Sequence, residues 1–409
     1  MPNNKRYFFP NEKKKSSPFL KIVGVVTLAM FFCYGVFAWL VGGDSAPAEN
    51  AAVADAATAT DSPAPPVTSS AAPAAAAQAP QHPLIAKAAE QEAAGNLTQA
   101  RAEYEHALTQ LAQTQDYPAA AIGLARVLQK DGNRDRALQL FNEVKERSPG
   151  PWRAAALHGI GTDTEAQGDK VKALELYEQA LKDAEVNSDT WNAVLDDVGR
   201  LNVELIFSPM ETPETKYHTI ESGESLTSIG IKLNTTQGLL MRANNITDPA
   251  TLRVGQRLKT TPKDFRILIE RSTCRMFLLD SEGIFKRYYT GLGMPGYETA
   301  LGNYTVGNKQ KDPTWFKPGS APIPPGDPTN ELGTRWMPLM PQEEGLPTDL
   351  GIHGTIEPET IGQYKSHGCP RLKKEDVEEL YDLVVRSTPV SIVEVIDWET
   401  MGPADATLS

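Results

Sequence analysis

The chain has 409 residues, with 40 Lys and Arg against 52 Asp and Glu and a formal net charge of −12. That length allows two or three domains, and the acidic balance excludes a protein built to grip nucleic-acid phosphates, which needs clustered cations. Its 3 cysteines are too few for a disulfide-stapled scaffold.

The first predicted element is a membrane span. Residues 1–18 form a basic tail with Lys5, Arg6, Lys13, Lys14 and Lys15 against the single acid Glu12. Within 19–43, Ile22 to Val41 is an uncharged apolar run of 20 residues, which as a helix covers roughly 30 Å, one bilayer core. The flank beyond carries Asp44, Glu49, Asp55 and Asp61 and no Lys or Arg up to residue 82. By the positive-inside bias the N-terminus is expected in the cytoplasm and the remainder outside the inner membrane, in the periplasm or cell-wall space. A cleaved signal peptide, with Ala46 to Ala48 as a poor cleavage site, is the rival reading; the apolar run is long for one. Residues 44–82 are rich in Ala, Pro, Ser and Thr, cannot bury a core, and read as a disordered linker.

A repeat occupies 83–207. Gly95, Gly132 and Gly168 are each followed five residues later by Ala (Ala100, Ala137, Ala173) and nine later by an aromatic (Tyr104, Phe141, Tyr177). Twelve residues after each Gly stands a small apolar residue, Ala107, Val144 or Ala180. Small residues let helices approach closely, the aromatic fills the space between them, and Gly supplies the turn. The pattern resembles tetratricopeptide repeats, an all-α solenoid. Ser188 to Leu205 reads as its closing helix. Such a solenoid serves as a helical spacer or as a groove for a protein partner.

A linker, 208–216, leads to 217–261. Here a short strand runs into "SGESL", where Ser222 or Ser225 can cap a helix; a second short helix ends at "RANN" and "LRVGQRLKT" returns as a strand. The stretch resembles the LysM module, a βααβ unit. The resemblance implies binding of N-acetylglucosamine-containing glycan through Gly223, Glu224, Ser225, Leu226, Asn244 and Asn245.

From 265 to 397 the runs "FRILIE", "CRMFLLD" and "GNYTVGNK", broken by Gly and Pro turns, predict a β-rich, sandwich-like domain. A long Pro/Gly-rich loop precedes "LGIHG", and a helix over "KEDVEELYDLVV" and a last strand "PVSIVEV" close it; 398–409 reads as a flexible tail. Within the domain, "IHGTIEPETIGQYKSHGCPRL" gathers His353, His367 and Cys369, two of the 6 histidines and one of the 3 cysteines. Zinc would want three or four ligands, and no second His/Cys pair is nearby. A nucleophilic thiol needs only an imidazole to take its proton and a group to orient that imidazole. Gly368 allows close backbone approach and can present an N–H to an oxyanion, and Pro370 biases Cys369 toward an extended backbone. Chance packing of a Cys and two histidines, or a Cys274–Cys369 bridge, are the bland alternatives.

His353-Gly354 followed by Ser366-His367-Gly368-Cys369 resembles the L,D-transpeptidase (YkuD-like) catalytic domain, supported by "TALGNYTVGNKQKDPTW" and "NELGTRWMPL". Pro370 stands where that family has Ile or Val, so its position offers no amide to an oxyanion. The resemblance implies that Cys369 attacks the amide between a diamino acid and D-Ala in a peptidoglycan stem. His353 would be the base, oriented through a backbone carbonyl near Gly354, with His367 shaping the site or serving as base itself. Ser366 would give supporting hydrogen bonds, and Arg371, Arg335 and Trp336 would contact substrate. Arg371 could instead hold the loop through a salt bridge. No metal or cofactor is implied. The thioester would pass to an amine of a neighbouring stem; water would make a carboxypeptidase, and a silent glycan-binding scaffold is the non-enzymatic rival. A cell-wall peptidase of the NlpC/P60 kind fits worse, because there Cys precedes His.

Overall fold

A computed structural model describes residues 82–317 and 319–398. The expected membrane anchor, its basic tail, the Ala/Pro linker up to 81 and the tail from 399 lie outside the described residues. Among the described residues no helix is long and apolar enough to cross a membrane.

Among the described residues seven helices come first: α1 (Pro83–Ala93), α2 (Leu97–Gln110), α3 (Tyr117–Lys130), α4 (Arg134–Arg147), α5 (Pro151–Ala166), α6 (Lys170–Asp183) and α7 (Asp189–Ile206). The repeat pattern explains their packing. Gly95, Gly132 and Gly168 take φ of +77°, +80° and +92° in the tight turns, where a side chain would be strained. Each repeat aromatic lies against a glycine of a neighbouring helix. A Cβ on Gly123 would come within 2.2 Å of the Tyr104 ring, one on Gly159 within 2.3 Å of Phe141, and one on Gly161 within 2.5 Å of Tyr177.

β1 (Lys216–Thr219), α8 (Leu226–Lys232), α9 (Gln237–Ala243) and β2 (Arg257–Thr260) give the expected βααβ unit, with β1 and β2 antiparallel. Ser225 is the cap: its Oγ accepts the Ser228 N–H at 3.1 Å, and Ser228 Oγ accepts the Ser225 N–H at 2.8 Å, satisfying two helix-end donors reciprocally.

The last domain contains β3 (Arg266–Glu270), β4 (Arg275–Asp280), β5 (Gly283–Tyr289), β6 (Leu292–Gly293), β7 (Gly302–Val306), β8 (Gln310–Lys311), β9 (Arg335–Pro341), β10 (Gly351–His353), β11 (Tyr364–Ser366), α10 (Lys374–Leu383) and β12 (Pro389–Val393). Its main sheet runs β10-β9-β7-β12-β3-β4-β5, with β8 on β9, while β6 and β11 form a separate parallel pair. The domain is β-rich as expected, but the main ladder is one unbroken path. Alternation decides what each face meets. Ile267, Ile269, Met276 and Leu278 join the core shared with Leu380 and Val384 at the α10 end, whereas Leu268, Phe277 and Leu279 pack with Trp191 and Leu195 of α7.

The helix read as closing the solenoid therefore also covers the main sheet of the last domain. Val194, Val198 and Leu201 of α7 face the repeat core, while Asn202 Nδ2 donates to the Phe285 carbonyl at 3.0 Å and Arg287 pairs with Asp196 at 2.7 Å. Two flanking segments are tied in as well. Trp398, assigned by sequence to the tail, packs edge-on against Trp191 and Phe277 at 6.0 and 5.0 Å. The 208–216 linker is pinned: buried Lys259 donates its ammonium to the carbonyls of Leu205, Ser208 and Met210 at 2.8, 2.7 and 2.6 Å. A cation at the C-terminal end of α7 also suits the helix dipole.

Candidate active site

His353 ends β10, and its register places it opposite Trp336 of β9. The chain after Cys369 runs alongside. His353 N–H donates to the Pro370 carbonyl at 3.2 Å, and the His353 carbonyl accepts the Leu372 N–H at 2.9 Å. Arg371 in turn exchanges both backbone bonds with Gly291, at 2.8 and 2.9 Å. The thiol-bearing segment is thus stitched between β10 and Gly291, and Pro370 contributes its carbonyl where it has no N–H to give.

The site's electrostatics follow from burial. His353 is 4% exposed. Desolvation and the Arg371 guanidinium hold its pKa down to about 4, against weaker opposing effects of the Gly354 and Glu331 backbones. Its imidazole is therefore neutral at ordinary pH, and Nδ1 is buried with no hydrogen-bond partner. The ring lies 5.7 Å from the Trp336 ring. Trp336 is itself wedged over Gly351, where a Cβ would come within 2.4 Å of it. Burial likewise pushes the Cys369 thiol up; the Gly351 backbone and Arg371 oppose this, while Asp349 adds to it. Sγ points to the Asp349 carbonyl at 4.0 Å, and no hydrogen bond joins it to either imidazole among the described residues. Burial of both groups thus favours the neutral thiol and the neutral imidazole over a thiolate–imidazolium pair.

The remaining expected residues divide by location. Ser366 is buried, and its Oγ accepts the Gly368 N–H at 3.2 Å. That amide is engaged, which leaves the Cys369 N–H, without a partner among the described residues, as the free donor beside the thiol. Gly368 has φ +113°, a conformation L side chains rarely adopt. Gly354 supplies close approach, its N–H reaching the Leu332 carbonyl at 3.0 Å. His367 is exposed, with its ring edge-on to Tyr297 at 5.1 Å. Arg371 is buried and paired with Glu331 at 3.2 Å and Glu357 at 3.7 Å. Both carboxylates lie on its guanidinium. Arg335, next to Trp336 on a strand, has its guanidinium by Glu378 at 3.6 Å and the Tyr381 ring at 5.2 Å. It faces away from Trp336, as strand alternation requires.

Two supporting residues escaped the sequence reading. Thr299, fully buried, donates Oγ1–H to the Gly368 carbonyl at 2.7 Å and accepts the Gly293 N–H at 3.0 Å. Met294 N–H donates to the Ser366 carbonyl at 2.9 Å. The loop from Gly293 to Thr299 is thus a shelf under Ser366–Gly368. Glu331, in "NELG", holds Arg371. Thr299 opens the flank "TALGNYTVGNKQKDPTW" and Glu331 lies in "NELGTRWMPL", but neither flank says which side chain reaches the Cys369 segment.

Most of the residues expected to bind glycan in the βααβ unit perform local structural work. Leu226 is core. The Glu224 carboxylate is held down to about 2 by the Glu221 N–H, His218 and Lys232. Asn244 bridges α9 to β2, accepting the Lys259 N–H at 2.6 Å and donating to the Lys259 carbonyl at 2.9 Å. Gly223 and Asn245 take φ of +84° and +53° in turns. Cys274 and Cys369 are both free, so the alternative bridge is not formed.

Residues 264–392 match the family model for the L,D-transpeptidase catalytic domain, YkuD; 218–261 match the LysM domain and 116–185 a tetratricopeptide repeat. A Bacillus licheniformis protein bearing the name L,D-transpeptidase YkuD is 28% identical over 183 residues, 43% of this chain and 97% of its own. An Escherichia coli protein bearing the name L,D-transpeptidase YcfS is 28% identical over 212 residues, 44% of this chain and 62% of its own. An L,D-transpeptidase structure from Mycobacterium tuberculosis matches at 19% identity and TM-score 0.27, over 34% of this chain and 63% of that one. The chain carries an L,D-transpeptidase (YkuD) catalytic domain together with a LysM domain and tetratricopeptide repeats.

Proposed function

We propose that this protein is a peptidoglycan L,D-transpeptidase that works through a Cys369 thioester. One observation carries the reading: the Cys369 segment is hydrogen-bonded directly to the strand bearing His353, whose buried imidazole is neutral and able to accept a proton. In the first step Sγ attacks the carbonyl linking the diamino acid to D-Ala in a tetrapeptide stem. The S–C bond forms and the C–N bond breaks, and His353 takes the thiol proton and gives it to the departing D-Ala amine. The Cys369 N–H faces the developing oxyanion, where one fixed donor is worth a large factor in rate. An amine of a neighbouring stem then attacks the thioester, yields its proton to His353 and regenerates the thiol, leaving a cross-link between two diamino acids. His367 borders the mouth with Tyr297 and positions the stem.

In this reading the apolar run Ile22 to Val41 anchors the chain in the inner membrane, with its catalytic domain in the periplasm. LysM holds glycan strands and the repeats hold a protein partner. The catalytic domain's specific chemistry separates transfer from hydrolysis only through the acceptor. Incubation of the full chain with disaccharide tetrapeptides decides between them. A dimer lacking one D-Ala is the expected product; a shortened monomer alone makes the enzyme a carboxypeptidase and overturns the transferase reading. No turnover at all would leave a scaffold.

A further inference from the structure

A groove of about 940 Å³ lies between the LysM module and the catalytic domain. One wall is α8 and α9, presenting Thr227, Asn234, Gln237 and the 80% exposed Ile231; the other is β8, β9 and the end of α10, presenting Lys309, Lys311, Arg335 and Tyr381. The seam is fastened rather than open. Leu239 of α9 enters the catalytic core, and Asp382 takes the Arg242 guanidinium at 3.4 Å. Gly238 packs so tightly there that a Cβ would come within 2.2 Å of the Asp382 carboxylate. Both walls are therefore held in a fixed relation.

The groove's charge is opposite to that of the chain. In a protein of net charge −12, its lining holds five cations, Arg242, Lys309, Lys311, Arg335 and Arg386, against the single acid Asp382. Asp382 is already taken by Arg242, and Arg335 is near Asp312 and Glu378 at 3.8 and 3.6 Å. The Lys309 ammonium has only the carbonyls of Tyr381 and Val384, both at 2.5 Å, and the Tyr381 ring at 4.1 Å. Exposed Lys311 and Arg386 have no ion-pair partner among the described residues. Two exposed cations, Lys311 and Arg386, thus face the groove without a carboxylate, while the half-buried Lys309 ammonium is turned to backbone carbonyls and held down to about 8 by burial. The groove is also separate from the reacting thiol, because Arg335 and Trp336 are neighbours on β9 and only Trp336 turns toward His353.

We propose that this groove binds a carboxylate-bearing peptide stem of a glycan strand, at a second place distinct from the stem being cleaved. The hydroxyl and amide wall belongs to the glycan module, Ile231 and Tyr381 offer apolar surface for the stem, and Lys311 and Arg386 meet its free carboxylates. Peptide stems carry such carboxylates along the same polymer that LysM is read to hold, and the inference rests on that reading. A strand seated here would keep the enzyme on the wall while its active site works on another stem.

The test uses the full chain with Cys369→Ala, which prevents turnover, and purified sacculi whose stem carboxylates are either free or converted to methylamides. Lys311→Glu with Arg386→Glu, two exposed changes that break no described contact, cancels the net charge of the groove, leaving three cations against three acids in its lining. Methylamidation should weaken retention of the parent by about tenfold, two screened surface pairs being worth about that much together. It should leave the double variant almost unchanged. Equal weakening of parent and variant, or weakening of neither, overturns the groove inference. Tighter binding of a glycerol-phosphate oligomer than of the stem-bearing strand overturns it too, by making phosphate the ligand. Binding to uncharged chitooligosaccharide reports separately on LysM: its loss defeats the glycan reading, while its persistence beside a failed groove test defeats only the groove.

Discussion

Burial of His353 makes a quantitative claim about acid. Its folded pKa is about 4 against an ordinary 6.5, and each pKa unit is worth about 1.4 kcal/mol. Because the folded value is the lower one, the stabilisation is fully present above pH 6.5 and is lost as pH falls toward 4. Between pH 7.5 and pH 5 the loss from this one residue is about 2 kcal/mol, and near pH 4 it approaches about 3. His353→Asn removes the titration. Histidine-selective NMR on the full chain should show a resonance, absent from His353→Asn, with a midpoint near pH 4. Urea unfolding followed at the catalytic domain should show the parent losing about 2 kcal/mol more than the variant between those pH values. A midpoint at or above 6.5, or equal losses in both proteins, would refute the neutral buried base and the proton path drawn through it.

Further expectations follow from other contacts. The thiol is pushed up by burial, so alkylation of Cys369 by iodoacetamide should be slow at pH 7 and rise continuously through pH 9; a plateau in the acid range would mean a preformed ion pair. Thr299→Val removes the donor to Gly368 and the acceptor for Gly293, and each lost buried bond costs about 1–3 kcal/mol. It should lower kcat by at least about tenfold while substrate retention on LysM is unchanged, measured by turnover and sacculus pull-down. Glu178 lines the cavity between α6 and the catalytic sheet, and burial first, with Asp280 and Glu214 adding, raises its pKa to about 7. Its folded value lies above the unfolded one, so ionisation destabilises the fold as pH rises past 4.5. Glu178→Gln should gain about 1–3 kcal/mol at pH 8, discounted for partial exposure, and nothing at pH 4 by thermal melting. Gly123→Val would drive a side chain into the Tyr104 ring and should cost about 1–3 kcal/mol in the repeat domain, read by helical melting.

Local rules made much of this molecule legible. The Gly-to-aromatic spacing at Gly95–Tyr104 and its two repeats is a packing rule written within one helix pair, and "SGES" states its own cap at Ser225. His353 and Cys369 stand out because scarce, reactive residues share one short segment. What the sequence hid depends on long-range contact. Trp191 and Leu195 look like any apolar residues of a closing helix, and nothing local says that they meet Phe277 and Leu279. Trp398 reads as the start of a tail because its partners lie over a hundred residues away. Arg371 was open between substrate and salt bridge until Glu331 was brought to it. The glycan-module marks Leu226, Glu224 and Asn244 signal the family because they build its fold, so their presence says less about sugar contact than their pattern suggests.

The proposed chemistry depends on a covalent bond to one sulfur. Intact-protein mass spectrometry of the full chain mixed with disaccharide tetrapeptide, quenched in acid and mapped by proteolysis, reads that bond directly. An adduct on Cys369 equal to the stem minus D-Ala is expected, at no more than one per chain, accompanied by release of D-Ala and absent from Cys369→Ala. Release of D-Ala by Cys369→Ala at the parent rate, or an adduct on any other residue, would contradict it.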